Sequence, residues 1–179
     1  KTKKYSLTLT ACYVGYVIQA MVNNLSPLLF VQFKRQFALD SVMLSLIIFI
    51  NFGLQIIVDS LSAKITEKIG YRAGAIFAQV FSCTGLVCLG VLPNVINPFA
   101  GIIIATVLMA IGGGFVEVIL SPVIEALPLG NKSGAMCFLH SFYCWGHIFT
   151  VLAATLYFNL FTIDAWRYLP IVLAVIPLL

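Results

Sequence analysis

Charge is what this sequence has least of: 10 Lys and Arg and 6 Asp and Glu stand in 179 residues, 9% of the chain, against 61% hydrophobic residues. An ordinary water-soluble domain is about a quarter charged, so that class is excluded. Residues 5–33 carry no formal charge at all, a run longer than the ~20 residues a helix needs to cross a bilayer core. A short apolar core followed by a small-residue cleavage site is also missing around residues 8–24, so the first apolar run is a retained helix and not a secretory signal. Cysteine is missing from every connecting segment. Cys12, Cys83, Cys88, Cys137 and Cys144 all lie inside apolar runs, where the residue acts as a small apolar packing group, and neither disulfides nor a metal role is expected. No Met opens the chain and Leu179 closes it inside an apolar run, which reads as the boundary of a fragment. The formal net charge of +4 is accounted for by the connecting segments, so no nucleic-acid partner is implied.

What is present is a series of apolar spans set apart by charge and by helix breakers, an all-α polytopic membrane bundle. The first span covers residues 5–33, and Lys34, Arg35, Gln36 and Asp40 form a polar connection to the second, residues 41–63. Lys64, Lys68 and Arg72 close that span. Residues 73–116 are again free of charge, about twice one crossing. Pro93, Asn94, Asn97 and Pro98 are therefore expected to divide this run into spans at residues 72–92 and 98–127. Pro128, Gly130, Asn131 and Lys132 turn the chain into a fifth span, residues 133–161, and a sixth, residues 165–179, reads as a truncated helix. Lys1, Lys3, Lys4, Lys64, Lys68, Arg72 and Lys132 fall on one side of these spans and Lys34, Arg35 and Arg167 on the other. Positive residues favour the cytoplasm, so the N-terminus is expected inside, in a cytoplasmic (inner) or plasma membrane. Trp166, Tyr168, Tyr157 and Phe161 are then expected as an aromatic belt at the outer boundary. Leu25-Ser26-Pro27 recurs as Leu120-Ser121-Pro122 at a corresponding place in the second triplet of spans, as a 3+3 inverted repeat would have it.

Ionisable groups inside an apolar core are costly and mark function by default. Asp59, Glu117, His140 and His147 are such groups. Tyr16, Gln19, Asn23 and Ser26 share one face of the first helix, and Asn51, Gln55, Asp59 and Ser62 share one face of the second. The fourth offers Thr106, Gly113, Glu117 and Ser121 beside the run Gly112 to Gly114, and the fifth offers His140, Tyr143, Cys144 and His147. At 1.5 Å per residue Glu117 lies ~15 Å in from Leu127, and His140 and His147 lie ~10 and ~21 Å in from Ser133, so the three are expected near one another. Gln19 and Asn51 fall at similar depth and Asp59 nearer the inner surface. Such polar stripes also hold bundles together by interhelical hydrogen bonds. Glu117 is read as a functional carboxyl or as a buried one paired with His140, and Asp59 as a conformational latch or a proton site. The spacing of His140 and His147 matches no two-histidine metal motif, and no nucleophile motif or cofactor fingerprint accompanies them, so neither enzyme chemistry nor a cofactor is expected.

The segment Ala63-Lys-Ile-Thr-Glu67-Lys68-Ile-Gly70-Tyr71-Arg72 resembles the major facilitator signature G-x-x-x-D-[RK]-x-G-x-[RK], with Ala and Glu in place of its first Gly and its Asp. Gly112-Gly-Gly-Phe-Val-Glu117-Val-Ile-Leu-Ser121-Pro122 and Leu139-His140-Ser-Phe-Tyr-Cys-Trp-Gly146 are similar to the fucose and glucose permease branch of that superfamily, and Asn23-Asn24-Leu25-Ser26-Pro27 resembles its N-N-x-N-D motif. The resemblance covers essentially the whole chain. It implies the N-terminal six-helix half of a twelve-helix transporter. It also implies a cytoplasmic latch at Glu67, Lys68, Gly70 and Arg72, a membrane carboxylate for sugar recognition and proton coupling at Glu117, and a cavity lined by His140 and Tyr143. Pro27 and Ser121 depart from the branch's Asp and Asn, which leaves proton coupling to Glu117 with His140, or to Asp59.

The expected function is secondary transport of a small polar solute, a sugar by this resemblance, through alternating access around a mid-membrane site. Gln19, Asn23, Asn51, Gln55, Glu117, His140, Tyr143 and His147 are the expected solute contacts, and Glu117, Asp59 and His140 the expected proton carriers. The partners implied are the solute, the lipid bilayer and a second half, either a C-terminal six-helix unit or a second copy of this chain. Transport of a non-sugar metabolite or drug-like solute, and a non-transporting structural or receptor protein, are the alternatives.

Overall fold

The computed structural model describes residues 2–178, with side chains from Tyr5 onward; Lys1, the side chains of Lys3 and Lys4, and Leu179 lie outside the described residues. The architecture is all-α, with no strand among the described residues. Helix α1 (Thr2–Leu28) passes through Leu29 into α2 (Phe30–Phe37), and Tyr5–Phe37 forms one apolar span of 33 residues. Four further helices are long and apolar enough to cross a membrane: α3 (Ser41–Ile69), α4 (Tyr71–Val95), α5 (Pro98–Ala126) and α6 (Lys132–Leu160).

Local chemistry sets most of these boundaries. Ala38 in the left-handed region (φ 52°) ends α2, and Asp40 starts α3 by accepting the Met43 N–H on Oδ1 at 2.8 Å. Asn97 caps α5 through the Ala100 N–H, with Pro98 in the first turn. Asn131 caps α6 through the Gly134 N–H.

Several boundaries differ from the sequence reading. Lys34 and Arg35 lie in the last turn of α2 and not in a connection. Helix α3 runs on to Ile69, with the good helix formers Lys64, Glu67 and Lys68 in its last turns, and only Gly70, at φ +84°, separates it from α4. Helix α4 continues through Pro93 and Asn94, so the turn falls at Ile96 and Asn97. The last segment is not one helix: it folds as a 3-10 turn (Ile163–Arg167), a six-residue α7 (Tyr168–Leu173) and a second 3-10 turn (Ile176–Leu178). Pro177 explains the stop, since its ring clashes with the carbonyl four residues back, that of Leu173.

Helix α5 is central, packing on α1, α3 and most extensively on α4, while α6 packs on α1. The apolar windows of Tyr5–Phe37 and of α5 are each 61% buried, against 22% for α3 and 17% for α6, so α3 and α6 are peripheral. The residues α3 buries, Ile47, Asn51, Gln55, Val58, Ser62 and Thr66, recur every three or four positions, while Val42, Phe49, Ile56, Ile57 and Leu61 are exposed. Polar groups inside and apolar groups outside reverse the pattern of a helix in water and suit one in lipid. Trp166, read as part of a boundary belt, is instead buried in the core: its Nε1–H donates to Gln36 Oε1, and Phe33 and Phe37 meet its ring edge-on. Tyr168 and Phe161 are exposed.

Candidate functional site

Helix α1 turns Tyr16, Gln19, Asn23 and Ser26 to one face, and all four are buried, at 2 to 5% exposure. Opposite them α5 carries Glu117 one turn beyond Gly113 and Gly114. A Cβ on Gly113 would lie 3.0 Å from Asn23 Oδ1, and one on Gly114 would lie 2.8 Å from Asp59 Oδ1. The absence of side chains there lets Asn23 from α1 and Asp59 from α3 rest on the α5 backbone.

Glu117 joins three helices. Its Oε2 accepts from Gln19 Nε2 of α1 at 2.8 Å and from Gln55 Nε2 of α3 at 3.0 Å. With Oε2 as the acceptor of both bonds, the two glutamine NH2 groups are turned toward Glu117. Gln55 Oε1 is thereby free to accept from Asn23 Nδ2 at 3.3 Å. Each bond fixes the orientation of the next amide, so the relay has one self-consistent arrangement. Tyr16 O–H and Ser121 Oγ share a further hydrogen bond at 3.2 Å between α1 and α5. Gln19 Oε1, Asn23 Oδ1 and Asp59 Oδ1 are buried without a partner.

These groups line an open cavity of about 500 Å³ between α1, α3, α5 and α6, whose walls comprise Tyr16, Gln19, Asn23, Phe52, Gln55, Ile56, Asp59, Glu117, His140 and Tyr143. That volume lies within the range of small-molecule sites. His140 enters from α6, its ring edge-on to Tyr16 with centroids 5.6 Å apart. Tyr143 stands one turn further along, its hydroxyl 3.5 Å from Asn24 Nδ2.

No protein-family model matches the chain, and no curated protein matches it.

Two of the residues expected in the site lie elsewhere. His147 is exposed and absent from the cavity wall. Seven residues bring it back to nearly the angle of His140 but ~10 Å further along the helix, so axial distance separates it from Glu117. Asn51 belongs to a separate cleft of about 10 Å³ shared with Asn23, Ser26 and Thr106, room for one water at most. Glu67, Lys68 and Arg72 are exposed around the Gly70 turn, where the Gly70 N–H bonds Thr66 O at 2.8 Å. Phe52 and Ile56 are cavity residues that the sequence reading did not name. Each stands three residues before a polar stripe residue, Gln55 and Asp59, and that spacing was the available signal. Among the described residues no three of His, Cys, Asp and Glu come together as a metal set.

Proposed function

We propose that the chain is the core of a membrane transporter of the major facilitator kind, which carries a small polar solute through the Glu117 cavity by alternating access. The observation that carries this reading is the junction at Glu117: one carboxylate receives N–H groups from two other helices, at 2.8 and 3.0 Å, in the wall of a cavity of about 500 Å³. A charge so placed inside five apolar spans is costly and marks a solute or proton path. The amides and hydroxyls of Gln19, Asn23, Gln55 and Tyr143 are suited to a hydroxylated solute, and a sugar is the class the sequence motifs favour.

The pairing of α1 with α6 and of α5 with α3, about a direct α1–α5 contact, supports a 3+3 inverted repeat. In that repeat α1 corresponds to α5 and α3 to α6, so the two pairings are images of each other. Helices α3 and α6 have exposed apolar faces, and both supply wall residues to the open cavity. A second half, either a further helical unit or a second copy of the chain, would close it. The excess of Lys and Arg on the side of the Gly70 turn favours a cytoplasmic N-terminus in a cytoplasmic or plasma membrane. Glu67, Lys68 and Arg72 would latch helix ends there. Glu117, with Asp59 and His140 on the same cavity wall, is the proposed proton carrier.

Counterflow of labelled sugars into liposomes containing the full-length protein, with and without a proton gradient, tests this reading. Gradient-driven uptake lost in Glu117→Gln is the expected result. Uptake indifferent both to the gradient and to Glu117→Gln removes proton coupling, and absence of flux for every sugar removes the sugar assignment.

A further inference from the structure

The cavity is short of positive charge. Among the described residues no Lys or Arg lines it, while Asp59 and Glu117 both do. One N–H of each wall amide is engaged within the walls: Gln19 Nε2 and Gln55 Nε2 donate to Glu117 Oε2, and Asn23 Nδ2 donates to Gln55 Oε1. Among the described residues the amide oxygens of Gln19 and Asn23 and Asp59 Oδ1 have no partner, and all three are buried within the wall, the last two against Gly113 and Gly114 of α5. Among the described residues the protein's bonds to the Glu117 carboxylate reach Oε2, leaving Oε1 for a ligand. His140 is the one wall group able to take up positive charge, and it packs against Tyr16.

Resting on the transport reading of this same cavity, we infer that the solute carries a protonated amine. Its ammonium group lies between the Asp59 and Glu117 carboxylates, and one of its N–H groups meets Glu117 Oε1. A carboxylate in a membrane interior is costly unless paired, and a ligand ammonium supplies the missing partner. An ammonium adds the attraction between opposite full charges to the hydrogen bond, which a hydroxyl in the same place does not, so this contact selects against the hydroxyl. The Phe52 ring on the wall offers a face that attracts cations. An opening of about 500 Å³ is sized for an organic cation and not for a bare ion. A sugar that satisfies these walls is therefore an amino sugar.

Three probes that differ at one position separate the possibilities: glucosamine with an ammonium, glucose with a hydroxyl, and N-acetylglucosamine with a neutral acetamide. Counterflow of each is measured in liposomes containing the full-length protein, and thermal unfolding of the purified protein is followed with each probe. Glucosamine is expected to move about tenfold faster than the other two, the ratio that 1.4 kcal/mol of added interaction gives. Asp59→Asn and Glu117→Gln are each expected to reduce it to the glucose rate. Glucose moving as fast as glucosamine overturns the inference and leaves the transporter reading in place. Stabilisation by glucosamine alone, without flux of any probe, upholds the inference and removes the transport reading. Neither flux nor stabilisation by glucosamine overturns the inference. Glu117→Gln disturbs the amide relay as well as the charge, so Asp59→Asn is the deciding variant. If it folds and keeps the preference for glucosamine, the assignment is wrong.

Discussion

Toward α4, helix α5 presents Gly101, Ala105, Met109 and Gly112, and the two backbones nearly touch; toward α1 and α3 the same helix presents Gly113, Gly114 and Glu117, and polar side chains fill the space. On the α4 side a Cβ added to Gly85 would lie 2.9 Å from the Met109 backbone nitrogen, and one on Gly112 would lie 2.8 Å from the Ser82 nitrogen and 2.9 Å from the Ala78 oxygen. Lipid tails are as apolar as the side chains, so helices in a membrane adhere by close packing, and small residues at turn spacing allow it. On the other side the hydrogen bonds are made through rotatable amides around an open cavity. One face of α5 is built to hold its neighbour and the other to bind and release.

The largest effect is expected from breaking the dry face. Gly112→Ala places a methyl against the Ser82 hydroxyl and the α4 backbone and should cost about 2–3 kcal/mol in reversible unfolding in detergent. A loss within the error of the measurement would show that α4 and α5 are not tightly seated. On the polar face Gln55→Leu removes one bond to Glu117 and the acceptor of Asn23. Its cost should be near 1 kcal/mol, the scale of interhelical hydrogen bonds in membranes, with solute flux reduced far more than stability. Equal losses of flux and stability would argue that the relay serves only to hold the bundle. Gly53 on α3 has no atom within 4 Å of an added Cβ. Gly53→Ala should therefore stabilise by about 0.5–1 kcal/mol through helix propensity, the opposite sign to the same change at Gly112. Helix α6 supplies the smallest contrast: His147→Ala is expected to alter stability by under about 0.5 kcal/mol and leave flux unchanged, whereas His140→Ala should lower flux. A matching loss at His147 would return that residue to the site.

The spans and the polar stripes were legible because both rest on local rules. A run without charge says where lipid is, and a period of three or four says which face turns inward. Tyr16, Gln19, Asn23 and Gln55 are buried on the stripes that this period marks. Breakers were harder to weigh: Pro93 was tolerated inside α4 while Pro177 ended a helix, a difference that depends on what packs around each ring. Trp166 was read by its amphipathic ring alone, and the sequence could not reveal that Phe33, Phe37 and Gln36 enclose it.

By itself the sequence determined the five long apolar spans, while the sixth it offered, residues 165–179, folds as short helical pieces. It also placed Asp40, Asn97 and Asn131 in the connections between spans, where the structure shows each capping the helix that follows, and it showed polar side chains recurring at helical spacing. These depend on hydropathy and on hydrogen bonds over three or four residues. Only the tertiary structure decided that Glu117 meets Gln19 and Gln55, that Asn51 and His147 stand apart, and that Asp59 joins the cavity. Periodicity fixes the angle of a side chain around its own axis. The axial offset between two helices is set by how closely their backbones pack, and that offset chooses the partner.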